Sequence, residues 1–140
     1  MADAVDKGAQ VVLGGRPRAG EGYFYEPTVL TDVSEEAALR HTEIFGPVAP
    51  VSVFDTEDEA VAAANDTEYG LVAYVYTRDL ARALRVSERL ETGMVGLNRG
   101  VVSDPAAPFG GVKASGLGRE GGRTGIDEFL EVKYVGLPRP

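Results

Sequence analysis

The chain is 140 residues long, 44% hydrophobic and 26% charged, the composition of one ordinary globular domain and not of a disordered segment. Its net charge of -8 argues against nucleic acid and anionic membrane surfaces as partners, because clustered Lys and Arg bind both. With no cysteine it lacks the material for disulfides, Cys-bound zinc or a thiol nucleophile, and a single histidine, His41, argues against a His-based metal site or a Ser-His-Asp triad.

Residues 1–8 read as the last turns of a helix, with Gly8 as its C-terminal cap. Residues 10–13 form a short strand that stops at Gly14-Gly15. Residues 23–30 are extended and aromatic-rich, with Pro27 favouring an edge or a break. After Gly46-Pro47, residues 48–54 alternate as a strand does. Thr56 and Glu59 make a capping box for a helix to about Asn65 that buries Ala60, Val61 and Ala64. Residues 71–76 read as a buried strand.

Asp79 then caps a helix to about Glu91. Leu80, Ala83, Leu84 and Leu90 face inward, and Arg82, Arg85 and Arg89 form a solvated stripe. Residues 93–97 give another strand, followed by a long glycine-rich stretch over 98–118, a length that usually marks function. A short helix near 121–129 and a last strand over 130–137 complete the chain. Strands alternating with helices predict an α/β fold with a largely parallel sheet flanked by helices.

Residues 116–121, Gly-Leu-Gly-Arg-Glu-Gly, spell G-x-G-x-x-G. The dinucleotide reading needs a buried strand directly before the motif, and residues 110–115 are not one. The glycines are read instead as permitting close backbone packing. No run nears the 18 apolar residues of a membrane span, and the start, MADAVDKGAQ, lacks the basic and apolar parts of a signal peptide. A cytoplasmic location is expected.

Four ordered motifs are Glu43-Ile-Phe-Gly-Pro-Val48, Asn65-Asp-Thr-Glu-Tyr-Gly-Leu71, the run 108–120, Pro-Phe-Gly-Gly-Val-Lys-Ala-Ser-Gly-Leu-Gly-Arg-Glu, and the ending Glu131-Val-Lys133. In order and spacing they resemble the aldehyde dehydrogenase family, specifically the C-terminal part of succinate-semialdehyde dehydrogenase-like enzymes. The resemblance implies a partial catalytic domain over residues 1–129 and an oligomerisation strand and tail over 130–140. It further implies NAD or NADP as cofactor, a small aldehyde as substrate and a homo-oligomeric complete enzyme. In such enzymes a thiolate attacks the aldehyde, hydride leaves to nicotinamide, and water hydrolyses the thioester. The nucleophile and general base would lie outside this chain, which alone is expected to be inactive. The alternative is an inactive assembly piece that needs a separate Cys-bearing part.

Residue by residue, Glu43 matches the glutamate that grips the nicotinamide ribose, since a carboxylate can accept from both vicinal hydroxyls. Phe45 matches the aromatic beside the nicotinamide, and Gly46 and Pro47 shape the turn that presents both. Phe109 resembles a residue lining the aldehyde tunnel, and Ser103 one that holds the distal carboxylate of a semialdehyde. Glu120 resembles a member of the family's proton relay, acting as a buried acid. Arg119 and Glu131 resemble a structural ion pair. The turn and the glycine-rich stretch are expected to converge on one cleft.

Overall fold

The computed structural model describes residues 1–139, and its contacts divide the chain into a first unit, Met1–Ala60, and a second beginning at Val61. In the first unit, helix α1 (Ala2–Asp6) ends as the sequence suggests, with one adjustment: Lys7 is the C-cap and Gly8, at φ +97, follows it. Gly8 N–H donates to Val5 O at 2.9 Å and Ala9 N–H to Ala4 O at 2.9 Å, the paired bonds of a Schellman motif. Both outer residues of that motif, Ala4 and Ala9, are buried with Leu30 and Ala37 in this unit's small core.

Strands β1 (Gln10–Leu13), β2 (Thr28–Thr31) and β3 (Val48–Pro50) form a sheet in that order. β1 pairs antiparallel to β2 and β2 parallel to β3. Pro50 is tolerated because β3 is an edge strand. Only the end of the aromatic run at 23–30 is strand: Tyr23 and Phe24 stay exposed, while alternate residues Thr28 and Leu30 turn inward. The buried Thr28 hydroxyl is satisfied twice, accepting from Gly15 N–H and donating to Glu26 O, both at 2.8 Å.

Helix α2 (Glu57–Asn65) starts at its expected box, with Glu59 N–H donating to Thr56 Oγ1 at 3.2 Å. The Glu59 carboxylate reaches one residue further back than usual and accepts from Asp55 N–H at 3.0 Å. Of the three residues expected inside, Val61 is buried, Ala60 half-buried and Ala64 exposed.

The second unit holds β4 (Tyr69–Gly70), β5 (Val72–Val75), α3 (Leu80–Arg89), β6 (Met94–Leu97) and β7 (Val112–Lys113). β5, α3 and β6 form a βαβ unit, with β5 parallel to β6 from Val72↔Met94 to Val75↔Leu97. β4 pairs antiparallel with β7. The named pairings are thus evenly split between parallel and antiparallel, not largely parallel. The inward stripe of α3 is also rotated from expectation. Leu80 and Leu84 are 70% and 56% exposed, whereas Ala83, Val86, Ser87 and Leu90 are buried or half-buried. Ser87 can face inward because its hydroxyl donates to Ala83 O at 2.7 Å. Around residue 121–129 only a 3-10 turn forms, Asp127–Phe129, and residues 130–139 enter no strand pairing. Among the described residues, no helix is long and apolar enough to cross a membrane.

The Asp79 side chain caps α3 by accepting from Arg82 N–H at 3.0 Å. That bond holds its carboxyl below the ordinary carboxylate value, against an opposing desolvation and with smaller help from Ala81 N–H and the nearby Arg82 and Arg85 charges. A depressed folded value means that the cap's contribution is complete above the ordinary carboxylate range and is lost as pH falls through the depressed value. Asp79→Asn keeps the acceptor without titrating, so it is expected to flatten this part of the fall in melting temperature below about pH 4. Circular dichroism melts between neutral and acid pH check this; parallel curves for the two proteins would contradict it.

Candidate functional site

The glycine-rich stretch is fastened at β7. Lys113, at φ +54, sends its ammonium to Asn65 O at 2.9 Å and Thr67 O at 3.2 Å, just where α2 runs out of partners for its last carbonyls. The same ammonium pairs with Glu91 Oε2 at 2.6 Å. The Asn65 side chain completes the junction by donating to Arg89 O and accepting from Glu91 N–H, both at 2.9 Å. One lysine and one asparagine thereby tie the ends of α2 and α3 to β7.

Backbone packing around this junction is too close for side chains. A Cβ on Gly93 would lie 2.0 Å from Gly110 O, and one on Gly110 would lie 2.4 Å from Gly118 O. Glycine is required here for proximity. Gly93 N–H donates to Gly70 O at 2.9 Å, and Ser115 Oγ accepts from Gly70 N–H at 3.0 Å. The G-x-G-x-x-G run follows a two-residue strand and leads to a 3-10 turn, so it lacks the strand and helix of a dinucleotide fold.

Next to this strut, Phe109 and Glu120 exchange both backbone bonds, Phe109 N–H to Glu120 O at 2.7 Å and Glu120 N–H to Phe109 O at 2.8 Å. Directly opposed residues in such a pair put their side chains on one face. Both line a shallow depression of about 390 Å³, together with Leu71, Ser115, Arg119 and Phe129. Two expected site residues are therefore neighbours, and neither needs another chain to meet the other. Glu120 is exposed, however, and not a buried acid, because it lies at the open rim of the depression.

The expected Arg119–Glu131 pair is replaced within this chain. Arg119 Nη1 donates to Gly111 O and Gly118 O, both at 2.7 Å, so the guanidinium braces the glycine strut. Its backbone N–H donates to Glu128 Oε1 at 3.1 Å. Glu131 lies on the exposed terminal stretch.

Ser103 is exposed, one residue before a turn in which Asp104 Oδ1 accepts from Ala106 N–H at 2.9 Å. In the first unit, Glu43 and Phe45 are exposed, Phe45 at 96%. Gly46 and Pro47 lead from them into β3. Their carbonyls accept from Val48 N–H at 2.9 Å and from Thr28 N–H at 2.8 Å, which pins the turn to β2. Among the described residues, no group of three His, Cys, Asp or Glu is placed to hold a metal.

Lys113 and Asn65 were not singled out as site residues from the sequence. Asn65 sat in view as the last residue of a helix, and Lys113 was the only cation in the run 108–118. A solitary cation in a loop of glycines, with an orphaned helix end elsewhere, is the signal that would have paired them.

Comparison with known proteins places this geometry in context. Residues 1–135 match the model of the aldehyde dehydrogenase family. A succinate-semialdehyde dehydrogenase of Paenarthrobacter nicotinovorans is 59% identical over 137 residues, which cover 98% of this chain and 30% of that protein. A glutarate-semialdehyde dehydrogenase of Pseudomonas aeruginosa is 58% identical, covering 98% and 28%. The crystal structure of an E. coli NADP-dependent enzyme superposes with a TM-score of 0.90 at 53% identity, covering 97% of this chain and 29% of that one. The chain thus spans under a third of the length of these relatives.

The close packing of the strut generates a stability prediction. Gly93→Ala is expected to destabilise the second unit by about 1–3 kcal/mol, because neither backbone can retreat from the added methyl. Gly46→Ala meets nothing within 4 Å and has an ordinary φ, so its effect should stay within about 0.5 kcal/mol. Urea unfolding midpoints compare them, and equal shifts would contradict the packing account.

Proposed function

Because the chain belongs to the aldehyde dehydrogenase family, we propose that it is the C-terminal segment of an NAD- or NADP-dependent semialdehyde dehydrogenase, supplying the nicotinamide-ribose clamp and part of the aldehyde pocket. The observation that carries this reading is the Phe109–Glu120 rung. It sets an aromatic wall and a carboxylate on one face of a depression, braced from behind by the glycine strut and Arg119.

The first unit's turn fits a nicotinamide riboside. Among the described residues Glu43 has no hydrogen-bond partner, and Phe45 beside it is almost wholly exposed. A free carboxylate can accept from both ribose hydroxyls, while the ring offers a flat apolar surface to the base. When bound, the nicotinamide supplies the acceptor for hydride. Glu43 holds the ribose and Phe45 keeps water from one side of the ring. Phe109 lines the path of the aldehyde, and Glu120 at the rim passes a proton between solvent and the base. The chain contains no cysteine, so the thiol that attacks the aldehyde comes from the remainder of the enzyme.

The semialdehyde preference rests on the named activities of the relatives and on Ser103. Its hydroxyl donates to the substrate's distal carboxylate, a charge-assisted bond that selects acids over neutral aldehydes. The fully exposed alternation at Val132 and Tyr134, 99% and 91%, supports a terminal strand that adds to a partner subunit's sheet in a homo-oligomer.

Steady-state kinetics on the complete enzyme test the assignment. It should form NADH or NADPH only when aldehyde is added. Ser103→Ala should raise KM for succinate semialdehyde by about ten- to hundredfold, and KM for a neutral aldehyde much less. Equal changes for both aldehydes would remove the carboxylate role, and no reduced cofactor from any aldehyde would remove the whole assignment.

A further inference from the structure

The parallel ladder of β5 and β6 ends at Val75↔Leu97, and the two chains then diverge. One goes through Thr77 into α3; the other enters the glycine-rich stretch. Asn98 sits at the fork. Its backbone N–H donates to Val75 O at 2.8 Å, which continues the ladder by one bond. Its side chain does the rest: Oδ1 accepts from Thr77 N–H at 2.9 Å and Nδ2 donates to Thr77 O at 2.8 Å. A side-chain amide thus imitates a strand's peptide group and saturates the diverging backbone.

Asn98 does this at φ +52, a conformation most side chains avoid and Asn tolerates. The positive φ sets the direction in which residue 99 leaves the sheet. On the far side the stretch is held again. Ala107 N–H donates to Asp104 O at 3.0 Å, Gly122 N–H donates to Pro105 O at 3.1 Å, and the Phe109–Glu120 rung follows. Between these posts lie residues 99–103, five residues carrying two exposed polar donors, Arg99 and Ser103.

We propose that Asn98 is a positioning residue for substrate specificity, fixing the take-off of the 99–103 arch and hence the place where Ser103 meets a distal carboxylate. The functional part rests on the Ser103 reading above; the structural part does not. Residue chemistry at this fork is demanding. Glycine allows the φ but supplies neither bond, and Asp allows the φ and accepts from Thr77 N–H but cannot donate to Thr77 O.

Two measurements on the complete enzyme decide it, with Asn98→Gly and Asn98→Asp. Amide hydrogen exchange reads the fork directly. At Thr77 exchange should accelerate in Asn98→Gly and stay slow in Asn98→Asp, and at residue 98, whose N–H donates to Val75 O, it should accelerate in Asn98→Gly. Kinetics read the consequence. In Asn98→Gly, KM for succinate semialdehyde should rise about two- to tenfold more than KM for a neutral aldehyde, the equivalent of one neutral hydrogen bond. Unchanged exchange at Thr77 and at residue 98 would overturn the positioning role, whatever the enzyme oxidises. Faster exchange with equal KM changes for both aldehydes would make Asn98 a structural residue only and overturn the specificity claim. An unmodified enzyme indifferent to the distal carboxylate would overturn the Ser103 reading and the specificity claim with it, while the exchange result would still stand for the fork.

Discussion

One ammonium group holds the second unit's frame together. Lys113 reaches two carbonyls at the end of α2 and a carboxylate just beyond α3, from a two-residue strand in a glycine-rich stretch that could not hold itself in place. Its side chain is only 26% exposed, so the bonds to carbonyls are worth more than a typical surface pair, on the order of 1.5–3 kcal/mol. The Glu91 carboxylate is 58% exposed and adds less. Gly110 and Gly111 lie in close backbone contact beside what this contact anchors. The glycine contacts set the distances, and the Phe109–Glu120 rung receives its position from them.

This arrangement explains how so irregular a stretch can be held firmly enough for the proposed binding site. Loops are mobile by default, and a site needs side chains held within fractions of an ångström. Here irregular backbone is immobilised by close glycine contacts, by Arg119 bracing two carbonyls, and by Asn98 closing the fork at the other end. The glycine-rich run over residues 108–120 therefore encodes geometry more than chemistry. Its reactive partners, the thiol above all, belong to the remainder of the enzyme under the proposed function.

Local signals were legible in the sequence where a few adjacent residues decide the outcome. Asp79 announced α3, Thr56 and Glu59 announced α2, and Gly8 announced the end of α1, because caps are short-range devices. What escaped was decided by partners far away in the chain. The stripe of α3 turned toward Val86 and Ser87, whose hydroxyl bonds Ala83 O and so can be half-buried at little cost, which hydrophobic spacing cannot see. The direction of β1 against β2 depends on how a 14-residue connection reverses, and alternation alone does not report it. Phe109 and Glu120 were both picked out through the family motif, but their direct pairing was not, since the ten glycine-rich residues between them carry no periodicity. Arg119 was expected to reach Glu131 and instead found carbonyls nearby, a commitment that only the folded loop creates.

Amide hydrogen exchange on Lys113→Met tests this account at its root, because methionine keeps the length and loses the charge. Faster exchange is predicted at Ala114, Phe109 and Glu120 together, with the amides of β2 in the first unit unchanged. Protection at Phe109 and Glu120 equal to that of the unmodified chain would contradict it, and would mean that the glycine strut stands without its lysine.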